Sequence, residues 1–131
     1  MFTSQQAMSM VRKAFSKPEA IALLYKEERE DNEASDTPSN GFCYIATEAV
    51  YNLIGGYSSG FWPVWSHVKT RNKTSTHWWL ENDKDERLDP TKDQIEEDDI
   101  EEIYAKGKEY SYSHRGTPSK RCCKLMEIAK A

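Results

Sequence analysis

The chain has 131 residues, the size of one ordinary domain, which can bury a hydrophobic core without disulfide cross-links. Its formal net charge of -4 disfavours nucleic acid as a general partner, because a phosphate backbone repels it unless the cations gather on one face. The sequence also lacks an apolar run near the roughly 20 residues of a membrane helix, and it lacks the layout of a secretory signal. We therefore expect one cytoplasmic domain over residues 1–131 that binds no membrane.

Three helices are predicted in the first half of the chain. Apolar side chains at helical spacing follow the candidate N-cap Ser4, and an S-x-x-E capping box that begins at Ser16 predicts a short second helix. The polar segment 30–40 predicts an exposed loop. Residues 43–54 then carry the most apolar helical pattern of the chain, which Gly55 ends, so we expect this helix at the centre of the domain.

The second half of the chain carries the predicted sheet. Residues 61–68 and 76–80 are rich in aromatic and β-branched side chains, and 87–89 follow a polar turn, as is typical of antiparallel strands. An acidic helix is predicted around 95–104, and an irregular segment over 106–116 leads to a closing amphipathic helix. The pattern predicts an α+β domain in which N-terminal helices and the central helix pack on a small antiparallel sheet, closed by a C-terminal helix.

Cys43 is the first candidate for chemistry. The three cysteines, two of them adjacent at Cys122 and Cys123, form neither a disulfide framework nor a paired metal-ligand motif, so we expect free thiols in a reducing compartment. Cys43 would head the central helix, where unpaired backbone N–H groups and the helix dipole favour the thiolate and lower the pKa. The same N–H groups can bind the oxygen that becomes negative when a thiolate attacks a carbonyl.

His77 and Asp89 would complete a thiol triad. His77 lies in the aromatic strand and Asp89 ends the next short strand, so a hairpin between them brings residue 89 opposite about 78. A histidine there can act as general base, and a neighbouring carboxylate can hold its imidazole tautomer. The alternative is that Asp89 only caps a turn and that Cys43 is an inert core residue.

Short motifs between residues 39 and 94 carry a family resemblance. They are Gly41-Phe42-Cys43-Tyr44, Gly55-Gly56, His77-Trp78-Trp79, Arg87-Leu88-Asp89-Pro90-Thr91 and Asp93-Gln94. This layout resembles the small YunG-like proteins of bacteria and phages and, more distantly, papain-like and transglutaminase-like thiol enzymes. The resemblance implies a cysteine-headed helix on an antiparallel sheet, with Cys43 as nucleophile, His77 as general base and Asp89 as orienting acid.

These residues predict a thiol-dependent hydrolase or acyltransferase, such as a peptidase, deamidase or transglutaminase-like enzyme. It would act on an amide, isopeptide or thioester bond of a protein or peptide, and the amide of Cys43 would hold the oxyanion. Asn40 is the preferred candidate for a side chain that assists that amide, and Ser39 is the second candidate. We expect no cofactor and no metal, and the oligomeric state is open. The compartment would be the host cytoplasm if a phage encodes the protein.

Four tryptophans lie close together in the sequence, namely Trp62, Trp65, Trp78 and Trp79. Because neighbouring strand residues face opposite ways, a core accounts for at most alternate ones, and the remainder would line a substrate groove. Alternatively, all four pack under helices on both faces of the sheet. His67, on the neighbouring strand, is a second candidate base or a structural hydrogen-bonding residue.

A different class of function fits the same fold. The protein would then be a non-enzymatic bacterial or phage binding or inhibitor protein that uses the tryptophans or the acidic segment 96–102 to occupy a partner. Most acidic runs of this kind are simply solvated helix faces, which is the alternative interpretation of this segment. His114 is expected to be exposed in a polar loop.

Overall fold

Six α-helices and four β-strands form the part of the chain that the computed structural model describes, residues 1–69, 74–110 and 117–131. The helices are α1 (Ser4–Ala14), α2 (Pro18–Ile21), α3 (Lys26–Glu33), α4 (Cys43–Leu53), α5 (Glu97–Ala105) and α6 (Lys120–Lys130). The strands are β1 (Phe61–Lys69), β2 (Thr74–Asn82), β3 (Arg87–Leu88) and β4 (Lys108–Glu109). Among these residues, none of the helices combines the length and the apolar character needed to cross a bilayer.

The four strands form one antiparallel sheet in the order β3-β2-β1-β4. β1 and β2 form a long hairpin in which Ser66 pairs with His77. β3 pairs only with the far end of β2, where Leu88 lies opposite Leu80, and β4 pairs with only two residues of β1. Within the described ranges, the short outer strands therefore leave parts of β1 and β2 without a neighbouring strand.

The sheet separates two apolar cores, because adjacent strand residues face opposite sides. Leu80 packs with α1, α4 and α6 in the larger core, whereas Trp79 packs with Ile100 and Tyr104 of α5 in the smaller one. His77 lies two residues before Trp79 on β2 and therefore faces the same side of the sheet. The two rings stack with centroids 5.8 Å apart. The imidazole of His77 therefore projects toward α5.

The prediction of an α+β domain with a small antiparallel sheet is confirmed. The central helix, the long hairpin, the acidic helix and the closing helix all form close to their predicted positions. The predicted N-cap of the first helix is wrong, because Thr3 takes that place: its Oγ1 accepts the Gln6 N–H at 3.1 Å. The capping box at Ser16 does not form either, since Lys17 precedes α2 and gives it no side-chain cap.

The sequence pattern does not predict α3 or β4. α3 occupies part of the segment expected to be a loop, and it begins where the Glu28 carboxylate accepts the Tyr25 N–H at 2.7 Å. An ion pair of 3.1 Å between Glu28 and Arg121 ties this polar helix to α6. β4 lies in the segment expected to be irregular. His114 lies outside the described residues, so its exposure stays a prediction.

Candidate active site

Cys43 begins α4 after a turn that requires glycine. Gly41 has a φ of 90°, and a Cβ there would lie 3.0 Å from the carbonyl oxygen of Glu28 in α3. Phe42 is the N-cap and offers no side-chain acceptor to the first N–H groups of the helix. Cys43 therefore lies at a helix N-terminus without a side-chain cap, as the sequence predicts.

The sulfur of Cys43 lies at the edge of β2. Its thiol donates to the carbonyl oxygen of Thr76 at 3.4 Å, and one turn later Thr47 Oγ1 donates to the carbonyl oxygen of Trp78 at 3.1 Å. Both carbonyls belong to the part of β2 that β3 does not reach. The first turns of α4 thus take the place of a neighbouring strand, and the sulfur contacts the residue that precedes His77.

Cys43 is half-buried, and the desolvation of its sulfur raises the pKa of the thiol to about 12, because loss of water penalises the thiolate. The backbone N–H groups of Trp78 and Tyr44 lower the pKa, and the charges of Asp89 and Glu28 raise it further. The expectation of a lowered pKa is therefore wrong: desolvation outweighs the helix N-terminus. At neutral pH the resting side chain is a thiol.

His77 and Asp89 form a buried pair. The imidazole Nε2 lies 2.7 Å from Asp89 Oδ2, and both side chains are almost completely buried. Asp89 Oδ1 also accepts the backbone N–H of Thr91 at 3.2 Å. With the carboxylate accepting at Nε2, a neutral imidazole carries its lone pair on Nδ1, which has no hydrogen-bond partner among the described residues. His77 is thus held in the tautomer that a general base requires.

Tyr104 of α5 also contacts the carboxylate of this pair, although no sequence motif marks it as a site residue. Its hydroxyl donates to Asp89 Oδ2 at 2.8 Å, the same oxygen that contacts His77. Burial and then the charge of Asp89 raise the pKa of Tyr104, so its hydroxyl stays protonated and remains a donor. In the sequence, Tyr104 lies on the apolar face of the predicted acidic helix. That position does not distinguish it from a residue that only packs in the core.

A cavity of about 890 Å³ is lined by Cys43 and His77, together with Asn40, His67 and Gln94. Because α4 packs in the core on one side of the sheet while His77 projects toward the other, thiol and imidazole reach this cavity around the open edge of β2. No hydrogen bond joins Cys43 to His77 in the described part of the chain. The structure therefore brings His77 and Asp89 into direct contact, and it places Cys43 on the wall of the cavity that His77 shares.

Asn40 lies on the same cavity wall, in the loop before α4. Gln94 Nε2 donates to Asn40 Oδ1 at 3.4 Å, so the Asn40 side chain has its acceptor occupied and its amide group available as a donor. Asn32 Nδ2 holds the loop by donating to the Asn40 carbonyl at 2.7 Å. Ser39 is used differently, because its hydroxyl donates to Asp93 Oδ1 at 2.6 Å.

Asp93 fastens the segment that follows Asp89. Arg12 of α1 donates to the Pro90 carbonyl at 2.6 Å and pairs with Asp93 at 3.4 Å. Burial alone would raise the pKa of Asp93, but hydrogen bonds from Ser39 and Arg12 and the charge of Arg12 outweigh it and leave the pKa below its usual range. These contacts hold the Asp89 loop against α1 and against the loop that leads to Cys43.

The four tryptophans differ in their exposure and in their surroundings. Trp79 is fully buried, with its Nε1 donating to Glu81 at 2.7 Å, so its assignment to a substrate groove is wrong: it packs between the sheet and α5. Trp62 lines a separate cavity of about 560 Å³ with Tyr51 and Tyr57. The described residues that line the Cys43 cavity include no tryptophan.

Trp65 and Trp78 lie on neighbouring strands with ring centroids 6.2 Å apart. Trp78 also packs edge-on against Tyr44 of α4, and Lys108 lies over the Trp65 ring. Both rings are partly exposed, so their groove role stays a prediction.

The chain matches no family model, and it has no significant match among curated proteins or among solved structures. Its function is therefore inferred from the side chains of the site and from their surroundings.

Proposed function

We propose that the protein is a thiol-dependent hydrolase or acyltransferase in which Cys43 forms an acyl-enzyme, with His77 as general base and Asp89 as the residue that orients it. The observation that carries this proposal is the buried 2.7 Å contact between His77 and Asp89, together with the cavity that His77 and Cys43 both line. A papain-like or transglutaminase-like arrangement of the core is part of the same proposal, as is the relationship to YunG-like proteins.

The raised pKa of Cys43 determines the order of the proposed steps. Because the resting sulfur is protonated, the nucleophile forms only as His77 Nδ1 accepts the thiol proton. The sulfur then bonds to the substrate carbonyl carbon, and the carbonyl π electrons move to its oxygen. Backbone N–H groups at the start of α4, with the amide group of Asn40, stabilise this oxyanion.

Collapse of the tetrahedral intermediate breaks the bond to the leaving group. The imidazolium of His77 returns its proton to the departing amine or thiol, which leaves a thioester on Cys43. Water or an amine then attacks the thioester carbonyl, His77 removes its proton, and the sulfur leaves to regain the thiol. Water makes the protein a hydrolase, and an amine makes it a transferase.

Acylation by a peptide thioester tests the proposal. Wild-type protein should gain the mass of the acyl group, and fragment masses should locate it on Cys43. His77→Ala should slow the acylation by about 10²–10⁴-fold, the usual contribution of a general base. The matched control is His67→Ala, which removes the other described histidine of the cavity and should change the rate little.

Two results would overturn the proposal. One is acylation that persists in Cys43→Ser or that occurs equally on Cys122 or Cys123. The other is folded wild-type protein that neither forms an adduct nor converts the thioester to peptide acid, which would favour a binding protein with an inert thiol.

A further inference from the structure

A second cavity of about 720 Å³ adjoins the one that contains Cys43, on the side of β1 and α5. Four residues line both cavities: His67, Val68, Gln94 and Ile95. The two cavities therefore adjoin one another along these four residues, and together they are here called the long cleft, which extends from the head of α4 past the end of β1 to the flank of α5.

The long cleft is acidic. Its lining includes five carboxylates and two lysines among the described residues: Glu28, Asp31, Glu96, Asp99, Glu102, Lys106 and Lys108. Glu28 pairs with Arg121, and Glu102 pairs with Lys106. Glu96 and Asp99 form no ion pair with another described residue, so within that part of the chain α5 presents two carboxylates without a cationic partner to the cleft.

An open strand edge also borders the long cleft. β4 pairs with β1 only at Val64 and Trp65, whereas β1 continues to Lys69. Ser66, His67 and Val68 line the second cavity along this continuation. Among the described residues no strand pairs with that edge, and backbone groups of an unpaired edge can accept an extended peptide.

We infer that the long cleft binds an extended polypeptide segment rich in lysine or arginine, with its cationic side chains against Glu96 and Asp99 and a carbonyl group near Cys43. The part of this inference that places a reacting carbonyl group near Cys43 rests on the proposed function. The binding itself requires no reaction, because it depends on the charge of α5 and on the open edge of β1. Cationic side chains are the chemistry that complements such a lining.

Fluorescence anisotropy with two synthetic peptides tests the inference. One peptide alternates lysine with threonine and the other alternates glutamate with threonine, and the protein is the full chain carrying Cys43→Ser so that no acylation occurs. The lysine peptide should bind at least about tenfold more tightly than the glutamate peptide, and added salt should weaken that binding.

Paired variants of α5 locate the binding. Glu96→Gln with Asp99→Asn should weaken binding of the lysine peptide by about tenfold, because both carboxylates line the cleft. Glu97→Gln with Glu101→Gln removes the same charge from the same helix outside the cleft, and it should change binding by less than about twofold. Circular dichroism of each variant confirms that the helix is retained.

Equal binding of the two peptides, or equal losses in the two double variants, would overturn the inference. Thioester acylation of the wild-type chain, measured in parallel, separates this failure from failure of the proposed function. Acylation of Cys43 without selective peptide binding supports the proposed function and contradicts the inference that the long cleft binds a cationic peptide. Selective binding by a chain that cannot be acylated does the reverse.

Discussion

Opposing effects act on the sulfur of Cys43. Backbone N–H groups near the start of α4 and in β2 favour the thiolate, whereas burial and the charge of Asp89 favour the thiol and raise the pKa to about 12. A thiol in this state resists alkylation and oxidation, since both reactions need the thiolate. Reactivity is therefore tied to the arrival of a substrate that His77 can assist.

The pH dependence of alkylation should reveal this state. Iodoacetamide modification of Cys43, followed by the mass of its peptide, should accelerate by about tenfold per pH unit from neutral pH to about pH 10 without a plateau. In denatured protein the thiol regains an ordinary pKa of about 8.5, so the same site should then react faster at pH 8. A plateau in the folded protein below about pH 8.5 would instead indicate a preformed thiolate.

Single residues differ in how much of their role the sequence can reveal. The positions of Cys43 and Asp89 in the fold are predictable because each carries a local signal: the head of an apolar helix, and a strand end after a polar turn. The pKa of Cys43 was predicted in the wrong direction, because a helix terminus can be recognised locally whereas burial depends on the whole fold. Tyr104 gave no signal, since its contact with Asp89 exists only once α5 packs on the sheet.

Among the elements, α4 joins the site to the C-terminal part of the chain. Glu48 on this helix is almost fully buried, and its carboxylate accepts both the hydroxyl and the backbone N–H of Ser119, at 2.7 and 3.0 Å. Ser119 in turn caps α6 by accepting the Cys122 N–H at 3.2 Å. The buried carboxyl group of Glu48 in α4 thus binds the residue that caps α6.

Ser119→Ala tests this connection between the helices. It removes a helix cap and one partner of a buried carboxylate, so the free energy of unfolding should fall by about 2–3 kcal/mol in urea titrations. Thr3→Ala is the matched control, because it removes the exposed cap of α1 with no buried charge attached, and it should cost about 1 kcal/mol. Equal losses in the two variants would mean that the contact with Glu48 adds no stability.

Elements whose own residues carry a periodic apolar pattern are predictable from the sequence. Elements that depend on contacts with residues distant in the sequence are not. α4 and the hairpin of β1 and β2 carry strong patterns, and both form as predicted. α3 is polar on every side and depends on contacts such as that between Glu28 and Arg121, while the two-residue β4 depends on β1 for its pairing. The residues that form each of these contacts lie far apart in the sequence, so no short segment contains both.

At the scale of the whole molecule, the site depends on how the sheet is covered. The alternation of Trp79 and Leu80 predicts that one faces each way, but it does not predict that α5 covers one side and that α1, α4 and α6 cover the other. That arrangement determines that Tyr104 reaches Asp89, the partner of His77, on the α5 side, while Cys43 lies at the β2 edge. The shared cavity of thiol and imidazole is thus a property of the tertiary structure.

Asp93 connects three distant parts of the molecule, α1 through Arg12, the loop before α4 through Ser39, and the segment after Asp89. Because the pKa of Asp93 is lowered in the folded state, its ionisation stabilises the protein above the unfolded pKa of about 3.9, and this contribution is lost as pH falls through the folded pKa. Since the side chain is 41% exposed, we expect this contribution to the free energy of unfolding to be below about 1 kcal/mol.

The excess stability of wild type over Asp93→Asn, measured by urea unfolding, should therefore shrink between about pH 5 and pH 2. Parallel stability curves over that range would show that ionised Asp93 does not hold these segments together.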